Sequence, residues 1–306
     1  MAAFTAKDVQ ALREKTGVGM MDCKKALTAS DGDMEKAIEF LRERGLAAAA
    51  KKASRIAAEG VVDAYVADGV GVLVEVNSET DFVAKNQSFK DYVAGVAKVV
   101  AEQNPADVAA LMTMKFDDAL TVEEMLREKI LTIGENLNIR RFERYTGTNV
   151  SYIHGGGKIG VLVNFEVDDA TAKNEEFIAM AKDVAMQIAA LNPTYLSSEV
   201  VPAEVIEKEK EINLAALKND PKNSKKPENI LVKIVEGKMG KYFEQVCLLQ
   251  QPFVKNGDLT VAQYVAEVAK KLGTTIVVNK FARLEKGEGL QKREDDFAAE
   301  VAAMAK

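Results

Sequence analysis

An internal repeat constrains this chain more than any other feature. Between Gly71 and Pro105 runs GVLVEVNSETDFVAKNQSFKDYVAGVAKVVAEQNP, and between Gly160 and Pro193 runs GVLVNFEVDDATAKNEEFIAMAKDVAMQIAALNP. With one residue dropped, GVLV meets GVLV, Ala84-Lys85-Asn86 meets Ala172-Lys173-Asn174, Phe89 meets Phe177, and Asn104-Pro105 meets Asn192-Pro193. So many ordered matches imply two related modules, each a strand hairpin followed by a helix that covers one face of its sheet. Just upstream, Val61 to Ala67, the dipeptide Asp68-Gly69 and Val70 to Asn77 form a strong hairpin signal. Helical periodicity resumes after Phe82.

The remaining chain brackets these modules with helices. Thr5 and Asp8 resemble a capping box ahead of Val9 and Leu12, with a stop at Gly17. Met20 to Ser30 reads as a second helix, and Asp31-Gly32-Asp33 caps a third that is expected to close at Gly45, ahead of a helical linker from Leu46 to Ala53. Further on, Asn219 to Lys226 is a polar turn between two helices. Val205, Ile206, Ile212 and Leu217 are expected to face Ile230, Ile234, Val235 and Met239 across that antiparallel hairpin. Thr275 to Leu284 should return as a strand, and Lys286-Gly287-Glu288-Gly289 should release a last helix, Glu294 to Met304. The expected class is α+β with antiparallel sheets. Its expected divisions are 1–54 (helical unit and linker), 55–145 and 146–286 (the two modules, the second carrying the hairpin at about 202–246), and 287–306 (a C-terminal helical module).

Composition excludes several functions. Lys and Arg total 41 against 47 Asp and Glu, a net charge of −6, which leaves no basic excess to neutralise a phosphate backbone. Nucleic acid is not expected as the primary ligand. The charged start MAAFTAKDVQALREK does not suit a signal peptide, and no apolar run approaches the roughly 18 residues of a membrane helix, so a cytoplasmic location is expected. Two cysteines, Cys23 and Cys247, and one histidine, His154, cannot assemble a zinc site, and no serine stands in a GxSxG context. Neither cofactor, metal nor covalent chemistry is expected.

Two segments carry candidate function. In TGVGMMDCKKAL, Thr16 to Leu27, adjacent Met20 and Met21 point in different directions, so one can enter the core while the other stays near the surface as an adaptable contact. Periodicity alone favours both in the core, and Lys24 and Lys25 read as solvated charges. In EVNSETDFVAKN, Glu75 to Asn86, Phe82 stands beside Asp81 in a polar loop whose counterpart in the second copy, Glu166 to Thr171, has no aromatic residue. The module's fold therefore does not require Phe82. Two bland alternatives stand beside a partner-binding role: Phe82 starts the next helix's apolar face, and Asp81 is an N-cap. His154 precedes Gly155-Gly156-Gly157-Lys158, which is not a phosphate loop because Ile159-Gly160 and a strand follow; the glycines read as a hairpin turn. Arg140, Arg141 and Arg144 read as a solvated helix end.

TGVGMMDCKKAL and EVNSETDFVAKN resemble the two signatures of the elongation factor Ts family. Ile133-Gly134-Glu135-Asn136, HGGGKIGVLV and the final GEGLQKREDDFAAEVAAMAK extend the likeness over nearly the whole chain. The resemblance implies a three-helix domain of ubiquitin-associated type, two related α+β subdomains, a helical hairpin and a C-terminal module. It also implies a guanine nucleotide exchange factor that binds the GTPase elongation factor Tu without touching the nucleotide. Carried over by motif, Met20, Met21 and Lys24 become partner contacts. Asp81 and Phe82, flanked by Thr80 and Val83, become the intruding segment, and His154 becomes a contact from the second subdomain. A homodimer within the complex is compatible with these features. A scaffold or chaperone that binds the same partner without accelerating exchange is the alternative.

Overall fold

The computed structural model describes residues 4–221, 223 and 226–291. Helix α1 (Ala6–Thr16) begins at a capping box between Thr5 and Asp8 and ends at Gly17, whose φ of 67° is left-handed. Helices α2 (Met20–Ala29) and α3 (Met34–Lys52) complete a small core around Leu12, Cys23, Leu27 and Leu41. The third helix does not close at Gly45. It runs on to Lys52, with Gly45 buried where α3 packs on a later helix and a Cβ there lying at ordinary contact distance, 3.5 Å, from the carbonyl oxygen of Arg127. The glycine is carried inside the helix rather than ending it, and the alanines that follow sustain the helix.

Strands β1 (Glu59–Ala67) and β2 (Val70–Ser78) pair around Asp68 and Gly69, whose φ values of 50° and 72° suit a tight turn that matches sheet twist. Then follow α4 (Asp81–Lys85), α5 (Gln87–Gln103), α6 (Val108–Thr113), α7 (Val122–Ile133) and β3 (Asn138–Thr146), which returns beside β2 to give the order β1-β2-β3. The second module repeats this plan with β4 (Thr148–His154), β5 (Ile159–Glu166), α8 (Asp169–Ala172) and α9 (Glu175–Leu191). Its helical hairpin, α10 (Ala203–Asn219) and α11 (Glu228–Val246), and the short pair β6 (Pro252–Phe253) and β7 (Asn256–Thr260) precede α12 (Val261–Leu272) and β8 (Val277–Glu285), giving the order β4-β5-β8.

The repeat reaches further than the matched letters. Helices α5 and α9 both have 17 residues, both are N-capped by an asparagine (Asn86, Asn174), and both end on a left-handed asparagine, Asn104 at φ 50° and Asn192 at φ 46°. Helices α7 and α12 both have 12 residues and both begin at a capping box, Thr121 with Glu124 and Thr260 with Gln263. Both end at a left-handed glycine, Gly134 and Gly273. The sheets share a bulge at the same place: β3 slips by one residue opposite Glu75 and Val76, and β8 slips opposite Asn164 and Phe165. The helical hairpin is thus an insertion between α9 and α12.

Alternation along the central strands sets the packing. Val72, Val74 and Val76 meet α5 in one core, and Val161, Val163 and Phe165 meet α9 in a second. Their opposite faces, with Val62, Leu73, Tyr145, Leu162 and Leu284, pack sheet against sheet. In the helical hairpin the buried seam is Leu217, Leu231, Val235 and Met239. Ile212 and Ile230, expected on that seam, point outward instead, while Leu214 packs where Ile212 was expected. The expected helix from Glu294 to Met304 lies outside the described residues.

Candidate partner-binding surface

Phe82 is 80% exposed, the most exposed of the large hydrophobic residues among those described. It does not start the apolar face of α5, whose buried side begins at Phe89. Nor is Asp81 the cap: Thr80 occupies that position, its hydroxyl accepting from the Val83 N–H. Asp81 lies in the first turn of α4 and pairs with Lys85 at 2.6 Å. That hydrogen bond holds the Asp81 carboxyl below its ordinary range, with Lys286 a further nearby cation. The equivalent of Phe82 in the second module is Ala170, also exposed, at the start of α8.

Two carboxylates on different segments brace the loop that carries Phe82. Glu135 accepts from the Glu79 N–H and the Thr80 N–H, each at 3.0 Å, and from the Thr80 hydroxyl at 2.6 Å. In return Glu79 accepts from the Asn136 N–H at 2.6 Å and pairs with Arg55 at 3.4 Å. Thr80 and Val83 thus serve the loop itself, Val83 by packing on the first module's core.

Met20 and Met21 are 43% and 65% exposed, so neither enters the core. Helix α2 buries Cys23, Ala26 and Leu27; Met20, the first residue of the helix, shares their side by spacing yet stays exposed, and Met21 points away. Lys24 is exposed beside them. His154 ends β4 at the tip of the β4–β5 hairpin, where Gly155, Gly156 and Gly157 all take positive φ, and its Nδ1 lies 3.0 Å from the Tyr152 hydroxyl. The candidate residues therefore present three surfaces: the α4 loop, the α2 start and the β4–β5 tip.

Arg140, Arg141 and Arg144 are not a solvated helix end, because they lie on β3. Glu75, fully buried on β2, accepts from Arg140 at 3.0 Å, Arg141 at 2.6 Å, Asn77 at 3.0 Å and the Gly287 N–H at 2.8 Å. The bulge in β3 is what lets two consecutive arginines reach one carboxylate. Burial would push the Glu75 carboxyl up, but the Gly287 N–H, Asn77, Arg141 and Arg140 together hold it below its ordinary range. Sequence reading passed over Glu75 and Glu135; the only signal was that both fall inside segments that carry the family likeness.

Cys23 and Cys247 are free and buried. Among the described residues no group of three or more His, Cys, Asp or Glu side chains could hold a metal ion, and no helix is long and apolar enough to cross a membrane.

Residues 79–288 match the family described as Elongation factor TS. The chain is 51% identical over 306 residues to "Elongation factor Ts" of Clostridium perfringens strain 13, covering 98% of this chain and 99% of that relative. It is 51% identical over 311 residues to "Elongation factor Ts" of Trichlorobacter lovleyi, covering 99% of each chain. The same description belongs to a relative from Syntrophotalea carbinolica, 50% identical over 307 residues and covering 99% of each chain.

Proposed function

This chain belongs to the elongation factor Ts family, and we propose that it binds the GTPase elongation factor Tu through the α4 loop, the α2 start and the β4–β5 tip, and ejects GDP by inserting Phe82 beside the nucleotide site. The observation that carries this reading is Phe82 itself, 80% exposed on a braced loop and replaced by Ala170 in the sister module. A phenylalanine left in water has a large apolar surface to bury in a partner, a gain of roughly 1.5–3 kcal/mol.

Guanine nucleotide is held through magnesium, a P-loop lysine and backbone amides in narrow geometry, so small displacements of the elements around the phosphates weaken it. A thousandfold acceleration of release needs only about 4 kcal/mol off the barrier. One inserted aromatic and its flanking contacts can supply that. Phe82 acts as the wedge, and Asp81 exchanges its exposed pairing with Lys85 for hydrogen bonds in the partner. Met20, Met21 and Lys24 add contact from the three-helix unit and His154 from the second module, with residues 1–54, 55–145 and 146–286 acting as the separate units that deliver them. No covalent chemistry is required of the chain.

Linkage sets the reciprocal demand: if the factor weakens GDP binding, GDP weakens factor binding by the same ratio. The test is release of labelled GDP from elongation factor Tu with wild type, Phe82→Ala and Asp81→Ala. Loss of stimulation in the variants, with binding to the empty GTPase largely kept, is the expected result. Undiminished stimulation by both rejects the wedge, and binding without faster release by wild type favours a scaffold.

A further inference from the structure

An exposed aromatic makes a useful wedge only if something other than its own packing holds it still. Backbone pairing of β2 stops at Ser78 on the β1 side and at Asn77 on the β3 side, so the sheet offers nothing to the Glu79 and Thr80 N–H groups. Helix α4, with five residues, is too short to be ordered by its own hydrogen bonds. Glu135 takes both of those N–H groups and the Thr80 hydroxyl. It is aimed there by Gly134, which ends α7 at φ 88° and turns the chain back toward the loop.

The sister module shows what the fold alone demands at this place. Gly273 corresponds to Gly134, Thr274 to Glu135 and Asp168 to Thr80, and a single side-chain bond of 2.8 Å joins Thr274 to Asp168. Acid and hydroxyl have changed places, and among the described residues no backbone N–H donates to the Thr274 side chain. The module folds with that simpler bridge. The fuller clamp occurs only in the copy whose loop carries Phe82 in place of Ala170.

We propose that Glu135, with its reciprocal partner Glu79, is a positioning residue for the Tu-binding wedge: it fixes the loop so that Phe82 is presented in one orientation. This rests on the exchange function proposed above. Removing the clamp leaves the aromatic in place but unordered, and the ordering cost is then charged against partner engagement.

The test uses the absence of tryptophan from the chain. Phe82→Trp installs a sole tryptophan which, excited at the red edge of its band where the seven tyrosines do not absorb, reads local motion by its anisotropy in the free protein without any partner. Adding Glu135→Ala should lower that anisotropy. So should the pair Thr80→Asp/Glu135→Thr, which installs the sister module's bridge and keeps the thermal melt near that of the parent. In parallel, Glu135→Ala should reduce stimulated GDP release about tenfold in the wild-type background and less than twofold in the Phe82→Ala background, because a residue acting through Phe82 has nothing left to position. Unchanged anisotropy in both clamp variants, or an equal loss of stimulation in both backgrounds, overturns the proposal. A wild-type chain that fails to accelerate release overturns the exchange reading instead, and the anisotropy still decides whether Glu135 holds the loop.

Discussion

Leu73 fills the space that Gly160 leaves by having no side chain: a Cβ on Gly160 would lie 2.7 Å from Leu73 Cδ1. The relation is reciprocal, since a Cβ on Gly71 would lie 2.8 Å from Leu162 Cδ1. Each copy of GVLV thus inserts its leucine where the other copy has its glycine, and the two sheets close on each other through this exchange. Gly160→Ala should cost about 1–3 kcal/mol by overpacking. In combination with Leu73→Ala the cost should fall below the sum of the two single changes, because the truncated leucine makes room on one side while Val62 Cγ1, 2.5 Å from the same Cβ, still presses on the other. Urea denaturation of the four proteins in this cycle measures the coupling, and strict additivity would refute the interlock.

Glu75 should be a stability residue with a defined pH signature. Glu75→Gln leaves two arginines and the Gly287 N–H without their anion, at a cost of roughly 2 kcal/mol near pH 7. The folded-state pKa of Glu75 is depressed, so its contribution is full above the ordinary glutamate range and is lost as pH falls through the folded value. The gap in melting temperature between wild type and variant should therefore be widest at neutral pH and close on acidification. A gap that is constant with pH would mean the carboxylate charge is not what matters.

Glu128 should behave with the opposite sign. It is half-buried on α7 beside the cleft under the three-helix unit, and burial pushes its carboxyl up. Lys129 and Arg42 only partly oppose that rise, and Asp117 adds to it. A raised folded pKa means stability declines as pH climbs from the ordinary glutamate value to the folded one, and the loss persists above it. Glu128→Gln should raise the melting temperature at pH 7 and have no effect below about pH 4. A variant that melts lower than wild type at pH 7 would contradict this.

Two phenylalanines seven positions apart should respond very differently to truncation. Phe89 is fully buried against the first sheet, and Phe89→Ala should cost about 3–5 kcal/mol. Phe82→Ala, at an 80% exposed position, should change stability by no more than about 0.5 kcal/mol. Thermal melts of the two variants compare them directly, and a large loss from Phe82→Ala would show that the residue serves the fold rather than a partner.

Much of the architecture was legible in the letters because it is written in local chemistry. Asp68-Gly69 turns a hairpin, Thr5 and Asp8 start a helix, and the paired Asn104-Pro105 and Asn192-Pro193 end two others, each through backbone preferences that act within a few residues. The Asp81-Phe82 segment also stood out, since one copy of a repeat carries an aromatic that the other lacks. Gly45 misled for the opposite reason: a glycine that stops a helix and one that a helix carries through look identical until α3 is packed on α7.

By itself, then, the sequence determined the repeat, the α+β class, the strand hairpin turned at Asp68-Gly69 and the family to which the chain belongs. Only the tertiary structure decided that Leu73 meets Gly160, that a bulge turns Arg140 and Arg141 onto Glu75, that both Met20 and Met21 stay outside, and that Glu135 grips the loop beneath Phe82. The reason is separation along the chain. Turn and cap preferences are energies of neighbouring residues, whereas Glu135 lies more than fifty positions from Thr80 and meets it only after β3 has paired with β2 and carried the end of α7 to the loop.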